Sequence, residues 1–274
     1  MRTPIMPETR LLVEESLRPE LEALDLLSLD AIFQRSDLSV VKAKLAERQT
    51  LRLESATGTS WFIKRYNQPA PDPFWSGLFA EQFDSPVQRE WAVLRRLYKL
   101  GIDAPRPAAC IEELDGARVL RAALVTVGLP AVTSLQALVR AGRVSPARRQ
   151  RIAAQLGRIL RTMHDGGVNH RDFYLVHILV GADDRLFVTD LNRADIRKRV
   201  THRWRVKDVA ALLHSAPGAV TATDKARFLC AYLGKRKLRS AREFIEAAFR
   251  KSARMTAHTR KRVSEGEPNY HVVE

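Results

Sequence analysis

Cysteine is scarce in this chain: of 274 residues only Cys110 and Cys230 are cysteines, and no C-x-x-C spacing exists. A disulfide framework and a cysteine zinc site are thereby excluded, and a reducing cytosol fits. Long apolar runs are missing as well. None approaches the roughly 20 residues a membrane span needs, and the opening MRTPIMPETR lacks the apolar core of a signal peptide. A cytoplasmic protein is expected, peripheral on a membrane if it meets one. No internal repeat or low-complexity tract is present. There is no G-x-G-x-x-G, and the first candidate strand turn, Ala46-Glu47-Arg48-Gln49, contains no glycine. Acidic residues are in short supply, 31 against 46 lysines and arginines, for a net charge of +15. A field that positive draws anionic partners: nucleotides, nucleic acid or an acidic membrane surface.

What is present is an ordinary globular composition, 45% hydrophobic and 28% charged, in a chain long enough for two packed lobes. Residues 1–39 are leucine-rich (Leu11, Leu12, Leu17, Leu21, Leu24, Leu27) and suggest a helical lead-in. From Val40, three strand candidates follow: VVKAKL, TLRLE with its period of two, and WFIKRY, the last two joined by the turn SATGTS. A proline-containing loop from Asn67 to Asp84 leads to a helix from about Pro86 to Leu100, with Val87, Trp91, Leu94 and Leu97 on one face and Gly101 ending it. Val119–Val127 is a buried-strand candidate, and Gly128-Leu129-Pro130 breaks it. Ser145 and Pro146 open a helix to about His164. LVHILV and RLFVTD read as a short hairpin, and helices resume near Lys207 and run to about Ala257. The expected class is α+β in two lobes: an antiparallel-sheet N-lobe at 40–128 and a mainly helical C-lobe at 129–263, with a polar tail at 264–274 and a crevice between the lobes.

The residues that carry chemistry are spread along this order. Lys64 lies inside the third strand and Glu90 on the next helix. Asn169-His170-Arg171-Asp172 follows the long helix, with His177 five residues beyond Asp172 and Asp190, at the end of VTD, eighteen beyond it. Phosphoryl transfer needs these types. A lysine, oriented by a carboxylate, holds phosphates. One aspartate beside the acceptor hydroxyl takes its proton, and another holds a metal ion. HRD alone is a weak signal, but the ordered set Lys, Glu, HRD, Asp on the expected strand, helix and loops is the protein-kinase arrangement.

FIKRY, REWxxLxxL, NHRDFYLVHIL, TDLNRADIR and RWRVKDVAAL together resemble the lipopolysaccharide core kinases, the heptose kinase and Kdo kinase group, over roughly residues 40–215. The resemblance implies a protein-kinase-like fold, ATP and Mg²⁺, and transfer to a sugar hydroxyl of the lipopolysaccharide core at the inner face of the inner membrane. By it Asp172 is the catalytic base, Lys64 the phosphate anchor oriented by Glu90, and Asp190 the metal ligand, with His177 at the second metal-side position. Asp208, at a helix start, would brace the HRD loop from below. Only 18 residues separate Asp190 from Asp208, and no APE-like sequence appears, so little room remains for docking a peptide. Other small-molecule acceptors, protein Ser/Thr and a non-catalytic pseudokinase are the competing readings. The basic helices from Lys235 to Arg262 suit an anionic membrane or the acidic groups of the acceptor. Aromatics rarely interleave with these charges, which speaks against nucleic acid.

Overall fold

The computed structural model describes residues 7–44, 48–69, 81, 83, 85–234 and 238–265. Ala46 and Glu47 of the glycine-free turn, most of the stretch between Asn67 and Asp84, the start of the basic run at 235–237 and the tail beyond Glu265 lie outside them. The chain divides into two compact units, residues 1–98 with 104–130, and residues 99–103 with 131–274.

The first unit is built on a six-stranded antiparallel sheet. Its strands are β1 (Glu8–Val13), β2 (Ser39–Lys44), β3 (Arg48–Glu54), β4 (Ser60–Asn67), β5 (Pro107–Asp115) and β6 (Arg118–Val127). Their order across the sheet is β1-β5-β6-β4-β3-β2. Central strand β4 sets Lys64 opposite Thr50 of β3 and Leu124 of β6. Trp61 and Ile63 alternate with Phe62 and Lys64, so the two sets point to opposite faces. One face buries Trp61, Ile63, Leu51, Leu53 and Val125 against Leu21, Leu26, Leu29 and Ile32 of the N-terminal segment.

That segment departs from the helical lead-in expected for it. It begins as a strand, β1, paired with β5 from Glu8 opposite Leu114 to Val13 opposite Ala109. Only then come the short helices α1 (Arg18–Ala23) and α2 (Leu29–Gln34), the latter capped by Ser28. The leucine spacing correctly marks the helices, but the partner of β1 lies about a hundred residues away, and local pattern cannot show it. Strand β5 was also not expected. It is buried along nearly its whole length, so it lacks the two-residue alternation that reveals a half-exposed strand.

Helix α3 (Pro86–Lys99) covers the other side of the first unit with Val87, Val93, Leu94 and Leu97 buried. Ser85 starts it, accepting hydrogen bonds from the backbone N–H groups of Val87 (3.2 Å) and Gln88 (3.1 Å).

The second unit is mostly helical. Helix α4 (Leu135–Arg140) precedes α5 (Pro146–Asp165), whose N-cap Ser145 accepts from the Arg148 amide. Short strands follow: β7 (Thr133–Ser134) joins β9 (Ile178–Val180) and β10 (Leu186–Val188), and β8 (Val168–Asn169) pairs with β11 (Asp195–Ile196). Three helices complete the unit: α6 (His202–His214), α7 (Ala222–Leu233) and α8 (Arg242–Ser264). The expected helical stretch thus starts five residues before Lys207 and is broken twice. Thr221 and Asp224 form a reciprocal capping box at the second start, and Gly234 closes α7 at φ +64°.

Candidate active site

In the first unit an ion pair joins the sheet to α3. Lys64 Nζ donates to Glu90 Oε1 at 2.5 Å. Glu90 is almost fully buried and Lys64 is a fifth exposed. Phase explains the encounter: Lys64 is on the β4 face away from the leucine core, and Glu90 is on the buried face of α3 beside Val87 and Leu94. A buried carboxylate needs a partner, and here the partner is a lysine whose other side reaches solvent.

In the second unit Asp208, fully buried midway along α6 and not at the helix start expected for it, organises the His170-Arg171-Asp172 loop. Its Oδ2 accepts from the His170 amide (2.8 Å) and its Oδ1 from the Arg171 amide (2.7 Å). His164, from the end of α5, adds Nε2 at 3.1 Å, and its Nδ1 lies 2.8 Å from the Tyr232 hydroxyl. Helix α5 thus reaches the α6 carboxylate directly, and α7 backs it through Tyr232 on His164. Arg171 sits at φ +71°, where a non-glycine residue is strained, and the two amide bonds hold it there. The His170 ring lies under the following hairpin, with Nε2–H donating to the Thr189 carbonyl at 3.0 Å.

Asp172, the next residue, is less than a fifth exposed. The guanidinium of Arg193 bridges both of its carboxylate oxygens through Nη1, at 3.3 and 3.2 Å. The β9–β10 hairpin then turns the chain back. Both the backbone N–H and the hydroxyl of Thr189 donate to the His177 carbonyl at 2.9 Å. This brings His177 Nδ1 to 3.7 Å from Asp190 Oδ2. Asp190 is a second strained position, φ +58°, and the Asn192 amide donates to its Oδ1.

The sequence-predicted residues thus fall into two groups, each within one unit. Lys64 and Glu90 are bonded to each other. Asp172, His177 and Asp190 lie on adjoining loops, pinned by Asp208 and His170. Arg193 was missed as a partner of Asp172. It stands in the quoted segment TDLNRADIR, where an arginine three residues beyond the metal-ligand candidate carries no sign of pointing back across the loop. Among the described residues, no three His, Cys, Asp or Glu side chains gather as a metal cage.

The model of the lipopolysaccharide kinase (Kdo/WaaP) family matches residues 76–232. The chain belongs to the lipopolysaccharide kinase (Kdo/WaaP) family. The lipopolysaccharide core heptose(I) kinase WaaP of Pseudomonas aeruginosa is 33% identical over 213 residues, 73% of this chain and 78% of that protein. The enzyme of the same name from Escherichia coli K12 is 29% identical over 236 residues, 80% and 88% of the two chains. A 3-deoxy-D-manno-octulosonic acid kinase of Vibrio cholerae is 23% identical over 180 residues, 60% and 72%. A solved structure of WaaP in complex with acyl carrier protein superposes with a TM-score of 0.65 at 28% identity, covering 89% of this chain and 98% of that one.

As a member of the Kdo/WaaP family the chain is a phosphotransferase with a protein-kinase-like fold. The family match takes in Glu90, Asp172, His177, Asp190 and Asp208, while Lys64 lies ahead of it.

Proposed function

We propose that this chain transfers the γ-phosphoryl group of ATP to a hydroxyl of a lipopolysaccharide inner-core sugar, a heptose or 3-deoxy-D-manno-octulosonic acid. Asp172 accepts the acceptor hydroxyl's proton as its oxygen attacks the γ-phosphorus, the bond to the β–γ bridging oxygen breaks, and ADP leaves. Lys64 neutralises phosphate charge, and Glu90 keeps its ammonium aimed. Arg193, already on Asp172, opposes negative charge where the acceptor and the phosphoryl group meet.

A Mg²⁺ ion fits the donor set without a protein cage, because Mg²⁺ usually keeps several waters and takes one or two carboxylates plus substrate phosphates. Asp190 would hold it, with His177 beside it, and the ion would supply charge neutralisation at the phosphates. The observation that carries the reading is the HRD loop itself, tied through two backbone amides to a buried aspartate in a chain of this family.

Among the described residues no helix is long and apolar enough to cross a membrane. The acceptor would be met at an anionic inner-membrane surface through α8, which carries Arg250, Arg254 and Arg260 together with the exposed Phe249 and Val263. Each such cation near a lipid surface contributes about 1 kcal/mol. Acyl carrier protein, held in the solved neighbour, is a partner to test by direct binding.

The test is mass spectrometry of lipopolysaccharide from cells with the protein, without it, and with Asp172→Ala in its place. The expected result is loss of one core phosphate in both of the latter. An identical core mass in all three would overturn the proposal.

A further inference from the structure

Helix α6 holds the catalytic loop with Asp208 and, one residue earlier, turns a different chemistry outward. A cavity of about 410 Å³ is lined by His202, Arg203, Trp204 and Lys207 of α6 and by Ala247 and Lys251 of α8. Among the described residues no acidic one lines it. That volume is within the range of small-ligand pockets. Trp204 is the floor on which cations gather: Arg171 stands 5.2 Å, Arg197 4.8 Å, Arg203 5.5 Å and Lys207 5.4 Å from its ring centre. Arg171 (3.5 Å) and Arg197 (2.7 Å) share the buried carboxylate of Asp195, which offsets one of the four charges. Arg203, Lys207 and Lys251 form no ion pair with a described residue.

Lys207 is half-buried, and burial pushes its ammonium below the usual lysine range, with Asp172 the leading charge that opposes this shift. An unpaired, partly desolvated ammonium is costly to keep for stability alone. Arg203 and Lys207, four apart on one helix face, together with Lys251 from the facing helix, present donors from two sides. The indole supplies the flat apolar ring against which Arg203 and Lys207 pack. The field of Asp172 at Lys207 and the contact of Arg171 with Trp204 set this pocket beside the catalytic loop.

We propose that this basic pocket receives an acidic group, a carboxylate or phosphate, borne by the acceptor on the sugar next to the phosphorylated hydroxyl. The proposal rests on the sugar-kinase reading above and assigns Arg203, Lys207 and Lys251 as specificity residues that set where the acceptor lies. The same cations could instead meet a lipid headgroup, and the test separates the two sources.

The test compares wild type with the double variant R203A/K207M on core oligosaccharide, with its acid carboxylate intact or reduced to the alcohol. For wild type, reduction should raise the acceptor KM about tenfold or more. In the double variant KM for the intact acceptor should rise by a similar factor, reduction should add nothing, and kcat and the KM for ATP should stay within about threefold. Lys207→Arg should recover part of the loss. The exposed single change Lys251→Ala, which carries little folding risk, should raise KM about threefold. A double variant that still discriminates the two acceptors as wild type does overturns the proposal. So does a double variant that loses binding to phosphatidylglycerol vesicles while keeping that discrimination. If wild type phosphorylates neither acceptor, the sugar-kinase reading fails and the pocket is judged by NMR titration with free 3-deoxy-D-manno-octulosonic acid. Binding that is lost in R203A/K207M and absent for the carboxyl-reduced sugar supports it, and equal or absent binding refutes it.

Discussion

Asp208→Asn should damage both stability and turnover, and the structure sets the scale. The side chain is fully buried and accepts from the amides of His170 and Arg171 and from His164 Nε2. An asparagine offers one acceptor oxygen where the carboxylate has two. Its NH₂ group must then face a backbone N–H, so at least one charge-assisted bond is lost and one buried donor is stranded. Bonds to charged groups contribute about 1.5–3 kcal/mol, and stranding a buried donor costs about 1–3 kcal/mol. Arg171 at φ +71° also loses part of what holds it. The sum is about 2.5–6 kcal/mol from a total stability that is usually about 5–15 kcal/mol. Urea denaturation followed by circular dichroism would read it as a lower midpoint with unchanged slope. Because Asp172 directly follows Arg171, kcat should fall about a hundredfold at temperatures where the variant is folded. A variant within about 1 kcal/mol of wild type with undiminished kcat would refute the claim that Asp208 positions the loop.

Three further outcomes follow from packing and charge. Gly157→Ala should destabilise by about 2–4 kcal/mol in urea melts, despite alanine's better helix propensity, because its Cβ would run into the Phe228 carbonyl of α7; kcat of the folded fraction should be unchanged, which separates loss of stability from loss of positioning. Arg193→Ala should lower kcat about ten- to a hundredfold while shifting the melting midpoint by about 1 kcal/mol or less, since the Arg193–Asp172 pair is exposed on the arginine side. Burial pushes the Tyr232 phenol from 10.0 up to about 12. The folded state therefore keeps that proton after the unfolded chain releases it. The associated stability, about 2–3 kcal/mol, is present below pH 10 and is lost between about pH 10 and pH 12. Tyr232→Phe should flatten that alkaline limb in pH-dependent urea melts.

What was legible in the sequence was whatever repeats locally. The meander of β2, β3 and β4, the helix carrying Glu90, the Ser145 cap and the β9–β10 hairpin all announce themselves within a few residues. Lys64 and Glu90 were paired from order along the chain. Long-range partners were not legible: β1 finds β5 across the first unit, and Arg193 reaches back over the loop to Asp172. The buried strand β5 hid because both its faces are covered. The basic pocket was invisible for a similar reason. RWRVKDVAAL carried only the family resemblance, and only the packing of α6 on α8 joins Arg203 and Lys207 to Lys251 around one indole.

The most direct test of the whole account is transfer of labelled γ-phosphate from ATP to purified core oligosaccharide by wild type and by Asp172→Asn. Wild type should label the sugar. The variant should fall by about a thousandfold or more while binding ATP with affinity within about threefold. Labelling by Asp172→Asn at a rate within tenfold of wild type would contradict the account.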